Sequence, residues 1–299
     1  MSHKILFLGT SDFAVPSLRA LATDSRFSIT AVITQPDRPV GRHATITPPA
    51  IKVAAQELGL PVLQPEKIKE LQNDPTFQSL VSDRPDVFVV VSYGKILPQW
   101  FLDIPKHGCV NVHGSILPRH RGASPIHGAI ASGDTKSGVS IMKLDAEMDH
   151  GPILAIAEEP ILDTDTAGSL HDRLAELGAK LLPDTLADYL EEKIQPVEQD
   201  HSKATYCKIL TRDDGKLDPT TKTAEELARL VRAFYPWPGT WIELDEKRVK
   251  ILDVRVASEK IPDALYLDCA DGTILELLTV QPEGKKGMSS LDYIRGNKA

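Results

Sequence analysis

DVFVVVSY, residues 86–93, is a continuous apolar run bounded by Pro85 and Gly94. A strand that is apolar at consecutive positions, not alternate ones, is covered on both of its faces. On its N-terminal side lie two further short β-rich runs, Lys4–Gly9 and Ser28–Thr34, with a helically spaced stretch, Phe13–Ala22, between them. On its C-terminal side come Cys109–His113, Gly138–Leu144 and Pro152–Ala157. Strands parted by helix-length segments imply right-handed crossovers and a mostly parallel sheet. The first 160 residues or so therefore read as an α/β unit.

Further outward the pattern changes. Leu170, Leu174, Leu177, Leu181 and Leu186 recur near the helical period, with Thr166 or Asp165 placed to cap the start. Residues 190–206 are polar and lose the rhythm, which reads as a linker between a domain over 1–189 and a second over 207–299. Thr223–Glu226 has the form of a capping box, opening one helix that runs through Phe234. Thr240–Leu244, Val249–Val254, Ala264–Leu267 and Ile274–Leu278 follow at roughly ten-residue spacing, the pattern of a small β-barrel.

Length and composition fit this division. The chain has 299 residues, 41% hydrophobic and 25% charged, so a sizeable core is expected. No run approaches the roughly 20 apolar residues of a membrane-spanning helix, and MSHKILFLGTSDF lacks the form of a signal peptide. Cys109, Cys207 and Cys269 are scattered, without metal-type spacing, which fits a reducing cytoplasm. The net charge of −8 argues against indiscriminate phosphate binding. From residue 204 onward 15 Lys and Arg stand against 16 Asp and Glu, a balance of −1, so the N-terminal portion carries the other −7.

The chemistry is expected in NVHGSILPRHRGASPI, residues 111–126. Asn111 and His113 are two apart in a strand and so share a face, and strand ends in a parallel sheet are where ligand crevices open. An imidazole exchanges protons near neutral pH, and an amide donates to an oxygen that becomes negative during acyl-type transfer. A carboxylate is then needed to orient the imidazole. Asp145, Glu147 and Asp149 all follow the Gly138–Leu144 strand, and spacing does not choose among them. Five of the nine histidines fall between 107 and 150, yet His113, His120 and His127 are seven apart with Pro118 between them, which is no metal-ligand spacing. FLGTSDF has one glycine where a dinucleotide fingerprint needs three.

Asn111–Pro118 followed by Arg121-Gly122 resembles the signature of the folate-dependent formyltransferases, and above all of those acting on methionyl-tRNA. The resemblance runs nearly end to end, through FLGTSDFAVPSL, TQPDRPVGR (34–42), SYGKILP (92–98), ATYCKIL (204–210), YPWPGTW (235–241) and LTVQPEGKKGM (278–288). It implies a Rossmann-like catalytic domain and an OB-like barrel that helps hold RNA, with 10-formyltetrahydrofolate as formyl donor, no metal, initiator methionyl-tRNA as partner and a monomeric chain. It makes Asn111, His113 and Asp149 the catalytic trio and Ser115, Ile116, Leu117 and Pro118 the folate loop. Ile96 and Leu97 would line the pteridine pocket, and Arg42, Lys285 and Lys286 would contact RNA.

Two departures stand out. The family's acidic turn usually reads D-x-G-x-D-T-G, whereas here Glu147 stands in place of a glycine and His150 in place of a threonine. The loop after TQPDRP keeps Arg42 but not the usual lysine pair, which means fewer phosphate contacts. Phe234, Tyr235, Trp237 and Trp241, laced with Pro236, Pro238 and Gly239, are expected to pack as a corner of the second domain, not to stack on bases. Rival readings are transfer to an amino sugar nucleotide or a small ribonucleotide, formyl-folate hydrolysis, and a non-catalytic RNA-binding module.

Overall fold

Seven strands build the central sheet of the computed structural model, which describes residues 2–41, 43–244 and 246–297. In chain order the strands are β1 (His3–Gly9), β2 (Phe27–Ile33), β3 (Arg38–Val40), β4 (Thr45–Thr47), β5 (Val62–Leu63), β6 (Val87–Val91), β7 (Cys109–His113), β8 (Arg121–Gly122), β9 (Lys136–Lys143), β10 (Ile153–Pro160) and β11 (Tyr206–Cys207). The sheet runs β10-β9-β7-β6-β1-β2-β5. β1 pairs in parallel with both β2 and β6, and β6 with β7, while β9 is antiparallel to β7. β3 and β4 form a separate exposed hairpin.

The apolar run that decides the fold becomes β6, buried at every position. Phe88 and Val90 face a cluster with Leu6, Leu8, Ile33, Phe77 and Phe101, in which Phe101 lies 5.0 Å from Phe88 and 5.8 Å from Phe77 between ring centroids. Each such side chain stabilises the fold by roughly 1.5–3 kcal/mol on burial, and truncating Phe101 would cost about 3–5 kcal/mol. Because Gly9, Val91 and Val112 align across the parallel pairs, the C-terminal ends of β1, β6 and β7 open on one edge.

The chain divides into two compact units. The first holds residues 1–122, 137–159 and 171–206, and the second holds 123–136, 160–170 and 207–299. The long helix Ala167–Leu190 begins where Thr166 Oγ1 accepts from the Ser169 amide. The polar segment after it is tied into the first unit by a bridge from Val197 to Ile153 and by Thr205, whose carbonyl accepts from the Arg121 amide.

In the second unit the capping box forms as its sequence prescribes. The Thr223 amide donates to Glu226 Oε2 and the Glu226 amide to Thr223 Oγ1, opening helix Ala224–Ala233. β12 (Thr240–Leu244), β13 (Lys247–Ala257), β14 (Leu265–Asp268), β15 (Ile274–Pro282) and β16 (Met288–Ser289) make an antiparallel sheet ordered β12-β13-β15-β14, with β16 also on β15. Register shifts around Asp253 bend β13 and curl the sheet into an OB-like half-barrel. Its core joins Leu227, Val231, Ile251, Leu275, Leu277 and Val280. The aromatic corner divides: Phe234 and Trp241 are buried as expected, whereas Tyr235 and Trp237 are about half exposed (51% and 49%). Each of the latter two precedes a cis proline, and neither belongs to the hydrophobic cluster of this unit.

Candidate active site

Asn111 is the middle residue of β7 and His113 its last, so both project from one face toward the C-terminal edge of the sheet. Their positions are set by pairing: Asn111 lies between Val90 of β6 and Met142 of β9, and His113 opposite Ser140. Both are buried, at 9% and 7% exposure. The side-chain amide of Asn111 makes no hydrogen bond to any described residue. The amide is not among the fully buried polar atoms that lack a partner, so it still reaches solvent and is free to meet a ligand.

His113 presents its two ring nitrogens to two oxygens. Nε2 lies 3.0 Å from the His120 carbonyl, and Nδ1 lies 3.6 Å from Asp149 Oδ1. A carbonyl oxygen only accepts, so Nε2 carries the proton of the first contact, while the second is a close approach of carboxylate to ring. Of the three acids that spacing left open, it is Asp149 that faces the imidazole. Asp145 instead accepts from His150 Nδ1 at 2.7 Å, and Glu147 is exposed, its amide donating to Asp145 Oδ1.

Asp149 is held in an uncommon backbone conformation, φ +48°. Its Oδ2 accepts from the Gly122 amide at 2.7 Å, and its carbonyl accepts from Gln199 Nε2 at 3.0 Å. The same Gln199 amide donates to the Gly151 carbonyl, and Gln199 Oε1 accepts from the fully buried Arg121. Sequence reasoning missed Gln199, which lies in a stretch with no apolar rhythm. Arg121-Gly122 was visible as part of a motif, but not as the support of a carboxylate.

The loop after β7 is pinned from beneath. Ser140 Oγ donates to the Ser115 carbonyl at 2.7 Å and accepts from the Leu117 amide at 3.0 Å. Ser115 Oγ donates to the Arg119 carbonyl, and the Leu117–Pro118 peptide is cis. Ser115 and Leu117 are buried, while Ile116 and Pro118 are partly exposed.

A second loop group converges on the ends of β1, β2 and β6. The Tyr93 carbonyl accepts from both Thr10 Oγ1 and Gln35 Nε2, and Ser11 Oγ donates to Ser92 Oγ. The Tyr93 hydroxyl is buried with no partner among the described residues, and burial pushes its pKa up to about 12. Beyond it Ile96 is 85% exposed, and Leu97 packs partly against the core. Lys285 and Lys286 are exposed in the turn between β15 and β16. Arg42 lies outside the described residues. Among the described residues no three His, Cys, Asp or Glu side chains converge to hold a metal ion, and no helix is long and apolar enough to cross a membrane.

Two family models match the chain in order. The first, described as formyl transferase, covers residues 3–186, and the second, formyl transferase C-terminal domain, covers 209–298. A methionyl-tRNA formyltransferase of Myxococcus xanthus is 43% identical over 99% of this chain and 95% of its own length. One of a Geobacillus species is 40% identical over 98% of this chain and 94% of its own. Among solved structures, an N-formyltransferase from Helicobacter canadensis, in complex with folinic acid and dTDP-3-aminofucose, superposes with a TM-score of 0.69 at 18% identity. That match covers 94% of this chain and all of the other, and at such identity it speaks for the fold alone. With both models matched in order and full-length relatives at 40% identity and above, this protein belongs to the formyl transferase family.

Proposed function

We propose that this protein transfers the formyl group of 10-formyltetrahydrofolate to the amino group of methionine on initiator methionyl-tRNA, as a cytoplasmic monomer serving translation initiation. The observation that carries the reading is the unpartnered Asn111 amide beside the His113–Asp149 pair, at the edge of the sheet where strand ends open. The folate supplies a formyl carbon already activated on N10, so no metal is needed. The residues present fit such a group. Ser115, Ile116, Leu117 and Pro118 form a loop braced by Ser140, and the exposed Ile96 and half-buried Leu97 offer apolar surface to a pteridine ring.

Each residue of the trio then has a task. Asn111 donates its free amide proton to the carbonyl oxygen that gains charge. His113 turns its Nε2 proton from the His120 carbonyl to that same oxygen, a redirection that ligand binding commonly brings about. Asp149 keeps the ring oriented through Nδ1. Removing one such donor costs about 3–4 kcal/mol of barrier stabilisation. The second domain, 207–299, holds the RNA, with Lys285, Lys286 and Arg42 contacting phosphates. Neither lysine ammonium has a partner among the described residues.

The test is transfer of labelled formyl from the folate, offered charged initiator methionyl-tRNA, an amino sugar nucleotide and water together. Label in the tRNA is expected. Label only in the sugar, or free formate, would leave the trio in place and overturn the acceptor.

A further inference from the structure

One residue after Asp149, the acidic turn carries a second imidazole, that of His150, which forms no ion pair with Asp149 among the described residues. Its ring instead stacks on His201, with centroids 4.0 Å apart and planes within 2° of parallel. Both ends of this stack are anchored. His150 Nδ1 lies 2.7 Å from Asp145 Oδ2. His201 Nδ1 lies 2.8 Å from Arg121 Nη2, and since a guanidinium has only donors, that nitrogen is the acceptor.

Arg121 is unusual in its own right. It is 1% exposed, and its partners among the described residues are all uncharged: Gln199 Oε1, His201 Nδ1 and the Tyr206 hydroxyl. Buried guanidinium groups ordinarily meet carboxylates. Here the cation ties Gln199 and His201 together from below. Gln199 in turn donates to the carbonyls of Asp149 and Gly151. Three consecutive residues of the turn are thus held by one short segment, Asp149 and Gly151 through Gln199 and His150 through His201.

We infer that His150 and His201 are positioning residues: their stack, anchored on Arg121 and Asp145, locks the turn so that the Asp149 carboxylate is aimed at His113. Asp149 needs outside support, because a non-glycine residue at φ +48° persists only where its surroundings impose it. The aim is also sensitive, since Oδ1 stands 3.6 Å from His113 Nδ1, already beyond hydrogen-bond length. A displacement near 1 Å at a reacting group can cost about 100-fold in rate.

The inference rests on the proposed formyl transfer, and the experiment separates the two. Wild type, H150A, H201A and H150F are compared in steady-state transfer, with thermal unfolding of each followed by circular dichroism. In H150A and H201A kcat is expected to fall by about 10- to 100-fold, with the KM for folate and for tRNA changed less than about twofold. H150F keeps an aromatic face for His201 and is expected to recover most of the lost kcat, which serves as the test if H150A does not fold. Unchanged kcat in both alanine variants, a loss confined to KM, or no recovery in H150F would overturn the inference. If the wild type itself transfers nothing, the functional reading falls, and positioning is read from the imidazole nitrogen resonances of His113. A shift of those resonances in H150A supports positioning, and identical spectra would overturn it.

Discussion

The two sides of the candidate catalytic centre are built by opposite means. Asn111 and His113 are placed by sheet register alone, since β6 and β9 flank β7 and fix each residue's height and face. Asp149 belongs to no strand. It stands in a turn at φ +48°, held by an amide from Gly122 and a side chain from Gln199, 50 residues further on. A strand-borne group inherits its position from a regular ladder, whereas a turn-borne one depends on contacts that can each be removed. Substitutions on the strand side should therefore strike chemistry alone. Those on the turn side should strike aim, and stability with it.

The largest effect belongs to the strand. H113A should lower kcat by about 1000-fold or more, and N111A by about 100- to 1000-fold, with folate affinity and unfolding midpoint nearly unchanged. Equal losses in binding and rate would break the contrast. On the turn side, Q199A removes both carbonyl contacts and strips the buried Arg121 of two bonds. It should lower kcat by about 10- to 100-fold and also cost about 1–3 kcal/mol in urea unfolding. A purely kinetic or purely stability effect would show that the turn is not held as described.

Gly151 sharpens the same point. A Cβ there would lie 2.1 Å from the Lys143 carbonyl oxygen, so G151A must displace the turn or β9. It should cost about 1–3 kcal/mol and depress turnover together. In the second unit G215A meets an equally close obstacle, the Gly239 carbonyl oxygen at 1.9 Å, and should destabilise without moving the His113 and Asp149 signals.

The smallest effect is a pH dependence of stability in that second unit. Hydrogen bonds from Lys208, then from the Thr211 side chain and amide, hold Asp214 down to about 2 from its ordinary 3.8. A depressed carboxylate contributes stability above its unfolded value and loses it as pH falls through the folded one. The urea midpoint of D214N should therefore lie below wild type at neutral pH, and the gap should close between 3.8 and about 2. A gap that persists there would assign the effect to packing.

The same contrast explains what could be read from sequence. DVFVVVSY, the Thr223–Glu226 box and the two-residue spacing of Asn111 and His113 are local signals, and each takes its expected form in the structure. The choice of Asp149 over Asp145 and Glu147 came only by resemblance, because three acids at alternating positions in a turn carry no period. Gln199 gave no signal, being a polar residue in a polar stretch whose role depends on a long-range contact. The paired strands β8 and β11 are two residues each, too short for any alternation to show. The prolines and glycine that lace Phe234–Trp241 point to a packed corner, but Tyr235 and Trp237, each before a cis proline, are about half exposed.

Whether Asp149 acts through His113 is decided by a double-mutant cycle. Single-turnover formyl transfer to methionyl-tRNA would be measured for wild type, D149N, H113A and the double variant, with both substrates saturating. If the carboxylate serves only to aim the imidazole, D149N should slow the wild type strongly and leave H113A no slower than it already is. Losses that multiply, with the double variant slower than H113A by the full factor seen for D149N alone, would mean that Asp149 acts independently of His113.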